Sequence, residues 1–225
     1  VLVGKHRPVT QMHWGGGTST FLDSAEITEL MHMLASHFRL LDKSYREYSI
    51  EIDPRSIELD TIALLKGLGF NRISLGIQDF DPLVQKAINR IQPYSQIKLL
   101  VDCIHSHDFR SLSFDLIYGL PHQDRYSMEE TLRKVTALRP DRIACYNYAH
   151  LPERFSSQRA IDRLSLPAPE EKLLLQQMIS HTLQDAGYLH IGMDHYVLPE
   201  DELARALQEG RLQRNVQGYS LHMAD

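Results

Sequence analysis

The stretch Met12-His13-Trp14-Gly15-Gly16-Gly17-Thr18 decides how this chain is read. The residues leading into it, from Val9 to Trp14, have the apolar and β-prone character of a buried strand. Three successive glycines then strip the end of that strand of side chains. Glycine accepts positive φ and close approach but loses more chain entropy on folding than any other residue, so a triplet is a costly way to make a plain turn. Two readings stay open from these residues alone: a loose strand-to-helix loop, or a strand edge whose backbone presses against a bound small molecule. Beyond the glycines Asp23 opens a helix, with Glu26 three residues on as a capping box. Ile27, Leu30, Met31, Leu34 and Phe38 then recur at helical spacing.

The same strand-then-helix unit repeats along the chain. Strands are predicted over Glu47 to Ile52, Arg72 to Gln78, Leu112 to Tyr118 and Arg142 to Tyr148. Between them come a helix from Asp60 with Gly69 as its C-terminal cap, a short one from Asp81-Pro82, and one capped by Ser95. A further helix is opened by a Ser127 to Glu130 capping box and runs to Leu138. Pro167 and Pro169 mark a linker before a long helix from Glu170 to Ala186. A strand from Tyr188 to Gly192 and a helix from Glu200 to Gln208 follow. Five strands separated by helices argue for a parallel sheet with helices outside. Right-handed crossovers leave an open doubly wound sheet or a (β/α) barrel, and in both the ligands gather at the C-terminal strand ends.

Composition bounds the answer without deciding it. The 225 residues are 43% hydrophobic and 24% charged, ordinary for a globular protein. A net charge of −5 and a pI near 6.2 give no basic footprint for nucleic acid. No apolar run approaches the roughly 18 residues that a membrane span needs, and the opening Val-Leu-Val-Gly-Lys-His-Arg-Pro has no signal-peptide pattern. Cys103 and Cys145 match neither a metal-binding spacing nor a disulfide framework, which fits a reducing cytoplasm.

Polar residues collect where the strands end. His13 lies near the end of the first strand, Glu51 at the end of the second and Gln78 at the close of the third. Asp115 interrupts the fourth, and Asn147 and His150 finish the fifth. Each has a plain alternative. Glu51 between Ile50 and Ile52 could be solvated at a sheet edge; on a strand covered on both faces it needs a hydrogen-bonding partner, as does Asp115 between Phe114 and Leu116. Gln78 could cap a backbone, Arg90 could be a surface guanidinium, and either histidine could be structural. Nothing matches a serine or cysteine nucleophile motif, a P-loop or an HExxH zinc site.

Several strings together carry a resemblance. They are Met12 to Thr18, Ile50-Glu51-Ile52-Asp53-Pro54, Gly69-Phe70-Asn71-Arg72, Gly76-Ile77-Gln78-Asp79-Phe80 and Asp115-Leu116-Ile117-Tyr118-Gly119-Leu120-Pro121. Further on come Asn147-Tyr148-Ala149-His150-Leu151-Pro152, Gly192-Met193-Asp194-His195 and Arg214-Asn215-Val216-Gln217-Gly218-Tyr219. From Val9 to Tyr219 the chain resembles radical S-adenosylmethionine (SAM) enzymes, and more narrowly the oxygen-independent coproporphyrinogen III oxidase family of heme synthesis. The resemblance implies an α/β fold, a partial (β/α) barrel of the radical SAM type with parallel strands and outer helices. It would occupy residues 1–165, with the last helix and strand and the start of a truncated C-terminal segment in 166–225.

The resemblance also implies roles. Gly16, Gly17 and Thr18 would line the SAM pocket and Glu51 would hold one SAM molecule, while Gln78, Arg90, Asp115 and Ala149 would contact a second. A reduced [4Fe-4S] cluster would split SAM to a radical that removes hydrogen from the propionate β-carbons of coproporphyrinogen III. Loss of carbon dioxide and an electron then leaves vinyl groups. A substrate with four carboxylates wants local positive charge, for which Arg154, Arg159, His195 and Arg214 are the candidates. A reduced donor such as a flavodoxin-like protein is implied, and a monomer in the cytoplasm.

The chain departs from the family in one large respect. The family's Cys-x3-Cys-x2-Cys cluster loop is absent; Cys103 reads as a core residue of a helix, and Cys145 is inside a strand. Ser19 stands where the family usually has proline. The expectation is an internal fragment of the oxidase that does not turn over alone. Its rivals are a cluster-less, heme-chaperone-like protein binding SAM or porphyrin, and an unrelated α/β barrel enzyme using acid–base chemistry.

Overall fold

The structure, a computed structural model, describes residues 7–16, 22–42, 45–215 and 218–221. Gly17 and Thr18, two of the positions expected at the cofactor, lie outside the described residues, as does Ser19. In chain order the elements are β1 (Pro8–Val9), β2 (Gln11–Trp14), α1 (Ser24–His37), β3 (Arg39–Leu40), β4 (Glu47–Ile52), α2 (Leu59–Gly67), β5 (Arg72–Gln78), α3 (Pro82–Ala87) and α4 (Tyr94–Ser106). Then come β6 (Ser111–Tyr118), α5 (Arg125–Leu138), β7 (Arg142–Asn147), two short 3-10 turns, α6 (Pro169–Asp185), β8 (Leu189–Gly192), β9 (His195–Val197), α7 (Glu202–Gln208), β10 (Gln213–Asn215) and β11 (Gly218–Ser220). Two compact units divide the chain, Val1–Gly76 with Ser95–Ser113, and Ile77–Tyr94 with Phe114–Asp225.

In the first unit β2, β4 and β5 are parallel neighbours, with Gln11 opposite Glu47 and Ser49 opposite Arg72. Strand β4 shows why the sheet forms as it does. Tyr48, Ile50 and Ile52 are buried while Glu47, Ser49 and Glu51 are half-buried, so the strand has a period of two rather than the unbroken apolar run of a doubly covered sheet. The unit's core is completed by Ile27 and Met31 of α1, Ile62 and Leu65 of α2, and Phe70, whose ring meets Trp14 edge-on at 5.0 Å. Full burial of each such side chain contributes about 1.5–3 kcal/mol.

In the second unit the strand order is β6, β7, β9, β8. Strand β9 runs antiparallel to β7, with Arg142 opposite Val197, and β8 returns antiparallel to β9 through an irregularity between His190 and Gly192. The strand predicted over Tyr188 to Gly192 is therefore one arm of a hairpin, and its partner is the three-residue β9. Arg142 clamps this region: its guanidinium donates to both carboxylate oxygens of Asp201 (2.8 and 3.0 Å) and to Glu202 (3.3 Å). Asp201 is also the N-cap of α7, accepting from the Leu203 N–H at 2.8 Å. Helices α5 and α6 pack together.

Three local readings need correction. The N-cap of α5 is Asp124, whose carboxylate accepts from the Ser127 N–H (2.8 Å), while the Ser127 hydroxyl accepts from the Asp124 N–H (3.0 Å). Ser127 is thus the inner partner of the box, and Glu130 pairs with Arg133 instead (2.8 Å). Helix α4 starts at Tyr94, directly after Pro93, so Ser95 lies within it. Cys103 is half-buried rather than core, its thiol turned to the Leu59 carbonyl at 3.8 Å. Asp124→Ala should lower the unfolding free energy by about 1 kcal/mol, the usual loss for a cap. Glu130→Ala leaves the urea midpoint where it is.

Candidate functional site

The first unit builds its site from two strand ends. Because β2 and β4 pair in parallel, His13 lies opposite Ser49, two residues from Glu51 on the same half-buried face. The His13 ring shares hydrogen bonds with the Ser49 hydroxyl at 2.8 Å and the Glu51 carboxylate at 3.1 Å. The other Glu51 oxygen accepts from the Gly16 N–H at 3.2 Å. The Glu51 carboxyl is held below the usual carboxylate range, chiefly by the His13 hydrogen bond, with the Gly16 N–H helping and burial opposing. Glu51 is therefore an ionised acceptor with fixed partners, not a carboxylate merely solvated at an edge.

This arrangement explains one of the glycines directly. A Cβ on Gly15 would lie 2.4 Å from His13 Nε2 and 2.7 Å from the Glu51 carboxyl. The strand end is stripped of a side chain there so that the histidine and the glutamate can meet. Gly16 has φ +84°, a conformation that favours glycine.

The second unit holds the remaining candidates. Gln78 ends β5 half-buried at φ +64°. Asp115 falls on the half-buried alternation of β6 with Ser113 and Ile117, between the buried Phe114 and Leu116. The Arg90 N–H donates to the Gln85 carbonyl at 2.9 Å. The Ala149 carbonyl accepts from the Gln158 amide at 3.0 Å. Two residues that sequence reasoning missed join these strand ends. Lys172 of α6 donates to the Tyr148 carbonyl at 2.9 Å, beside Gly119, and burial lowers its ammonium pKa. Tyr148 itself shares a hydrogen bond with His150 at 3.1 Å. Only α6's helical pattern was legible there; nothing marks its single lysine as reaching a strand end.

Of the four residues proposed for the substrate, two share a partner. The His195 ring meets Tyr219 edge-on at 5.1 Å and Tyr146 at 6.0 Å, and the Arg214 guanidinium lies 6.0 Å from the Tyr219 ring centre. Burial holds the His195 imidazole below its usual range, with Asp194 opposing. Arg154 and Arg159 are exposed on the segment after β7, where the Arg159 side chain donates to the Pro152 carbonyl at 3.1 Å.

The donor set fits SAM and does not fit a cluster. A fixed carboxylate acceptor beside bare glycine backbone suits ribose hydroxyls or an amino group. An iron–sulfur cluster needs several thiolates, and burial pushes the thiols of Cys103 and Cys145 up, which keeps them protonated. Among the described residues no three His, Cys, Asp or Glu side chains are grouped to hold a metal.

The family model of the radical SAM superfamily matches residues 1–135. This chain belongs to the radical SAM superfamily. It is 50% identical over 220 residues to the oxygen-independent coproporphyrinogen III oxidase of Pseudomonas aeruginosa, covering 98% of this chain and 48% of that protein. The Synechocystis protein of the same name is 46% identical over 219 residues, covering 97% of this chain and 47% of that protein. The chain thus spans about half the length of the curated relatives it matches. Among solved structures, coproporphyrinogen III oxidase from Escherichia coli, described as a radical SAM enzyme, superposes with a TM-score of 0.93 at 47% identity. That match covers 96% of this chain and 49% of the other. The radical SAM fold expected from the sequence is the one observed.

A depressed Glu51 pKa contributes stability that is present above the ordinary carboxylate range and lost as pH falls through the lowered value. The melting temperature of the wild type should therefore exceed that of Glu51→Gln at about pH 7, and the gap should narrow as pH falls below the ordinary carboxylate range. Gly15→Ala, which drives His13 and Glu51 apart, should erase most of the same gap at neutral pH.

Proposed function

We propose that this chain is the SAM-binding part of an oxygen-independent coproporphyrinogen III oxidase. The whole protein would oxidatively decarboxylate two propionates of coproporphyrinogen III to vinyl groups, giving protoporphyrinogen IX. The observation that carries the reading is the backbone agreement with the Escherichia coli enzyme, at a TM-score of 0.93 and 47% identity. Glu51 holds one SAM molecule, supported by His13 and the Gly15–Gly16 backbone, with Gly17 and Thr18 as further contacts of that molecule. Gln78, Arg90, Asp115 and Ala149 hold a second, the arginine suited to a methionine carboxylate. Bound SAM, given one electron by the whole protein's reduced donor, would supply hydrogen abstraction from an unactivated carbon; the chain's part is to bind, orient and exclude water.

The substrate is met by Arg214 and His195 around Tyr219, with Arg154 and Arg159 supplying further positive charge for its carboxylates. The residues of this chain do not suit the [4Fe-4S] cluster. No helix among the described residues is long and apolar enough to cross a membrane. The whole protein would work as a cytoplasmic monomer reduced by a flavodoxin-like donor.

The test is anaerobic turnover by the complete gene product after iron and sulfide reconstitution. Methionine and vinyl product should appear together and only with coproporphyrinogen III present. Binding of SAM or porphyrin without turnover would instead make it a cluster-less carrier. The 225 residues alone, treated in the same way, should give no stoichiometric cluster absorbance, and a full cluster would overturn the assignment of its cysteines.

A further inference from the structure

Asp79 has no exposed surface and no part in the chemistry described so far, yet it directly follows Gln78. Strand β5 does not end in an ordinary turn there. The Asp79 N–H donates to the Ile77 carbonyl at 2.8 Å, two residues back, and Gln78 between them has φ +64°. That is a γ-turn with a positive central φ, the rare and strained kind, which persists only where its surroundings over-determine it.

The surroundings do so here. The Gln92 side-chain amide donates to the Ile77 carbonyl. The Gln85 amide donates to the Asp79 carbonyl at 2.9 Å and to the Gln92 carbonyl at 3.1 Å, and its oxygen accepts from the Gln92 N–H at 3.1 Å. Both carbonyls that flank Gln78 are thus held by buried glutamine amides. The Asp79 carboxylate accepts from the Asp81 N–H (2.6 Å), the Thr131 hydroxyl (2.7 Å) and the Gln123 amide (2.5 Å). Gln123 spends its other N–H on the Ile117 carbonyl (3.1 Å), and its oxygen accepts from the N–H groups of Gly119 (2.6 Å) and Leu120 (3.2 Å). The end of β5 and the turn after β6 are therefore tied to one buried carboxylate. Burial raises the Asp79 pKa, and the Asp81, Gln123 and Thr131 donors oppose that rise. Asp79, Gln85, Gln92 and Gln123 are exposed by 0%, 5%, 0% and 3%, a concentration of buried polar groups that a plain strand end does not need.

We propose that Asp79, Gln85, Gln92 and Gln123 are positioning residues that hold Gln78 in this strained turn, so that its side chain meets SAM at the strand ends. The inference rests on the reading of Gln78 as a SAM contact. It separates two properties that a purely structural network would keep together. Relieving the strain at position 78 stabilises the fold and weakens the ligand, whereas loosening the network weakens the ligand only through Gln78.

The test uses the complete gene product, SAM in equilibrium dialysis, and thermal melts without SAM. Gln78→Gly should raise the melting temperature by about 2 °C while weakening SAM binding, since glycine accepts the positive φ and lacks the side chain. Gln85→Met should weaken SAM binding about tenfold in the wild-type background and less than about twofold when Gln78 is already alanine. Equal effects in both backgrounds, or a fall in melting temperature with Gln78→Gly, would overturn the positioning role while leaving SAM binding intact. Failure of the unsubstituted protein to bind SAM would overturn the reading of Gln78 itself. Should Gln85→Met fail to fold, Thr131→Ser, which keeps the hydroxyl but frees it to rotate, takes its place in the same cycle.

Discussion

The period of two along the parallel strands is the constraint on which the rest depends. In β4, Tyr48, Ile50 and Ile52 are buried while Glu47, Ser49 and Glu51 are half-buried. In β6, Phe114, Leu116 and Tyr118 are buried while Ser113, Asp115 and Ile117 are half-buried. A one-residue slip of either strand would bury the carboxylates and expose the apolar set, so register and site are specified together. The carboxylates need not be explained as exceptions within an apolar strand. They stand on the face that the core leaves open.

That constraint also governs what was legible. Strands Glu47–Ile52 and Arg72–Gln78 agree with expectation residue for residue, because alternation and the flanking Pro54 and Gly69 leave little choice. Strand β9 was invisible because His195-Tyr196-Val197 is too short to display a period, and the hairpin of β10 and β11 fails for the same reason. The α5 cap was misplaced because a capping box is reciprocal: Asp124 and Ser127 each suit the outer position, and only backbone dihedrals separate them. Glu51 and Gly15 were readable as unusual, but their mutual dependence was not. Asp79 was harder still. Two of its three donors, Gln123 and Thr131, lie 44 and 52 residues away in sequence, and the third is only a backbone N–H, so no local side chain announces that this aspartate is buried.

The two units meet the demand for close quarters at a strand end in opposite ways. At Gly15 the side chain is deleted, and His13 and Glu51 occupy the space it vacates. At Gln78 the side chain is kept and the backbone bends instead into the left-handed region. The first solution needs little support because glycine is not strained. The second needs a buried network of amides and a carboxylate to hold it.

The Arg142 clamp has a consequence for the order of assembly. Asp201 both caps α7 and receives the guanidinium of a residue 59 positions earlier. Strands β8 and β9 can pair locally as a hairpin, but β9 must still find β7 across the whole of α6. Closing so long a loop precedes any reward from the pairing, and non-local closures of this kind slow folding. The β8–β9 hairpin is therefore expected to dock late, as a preformed piece. Until it does, β7 offers an unpaired edge, and a chain emerging from the ribosome carries that edge for the time needed to add about 50 residues more.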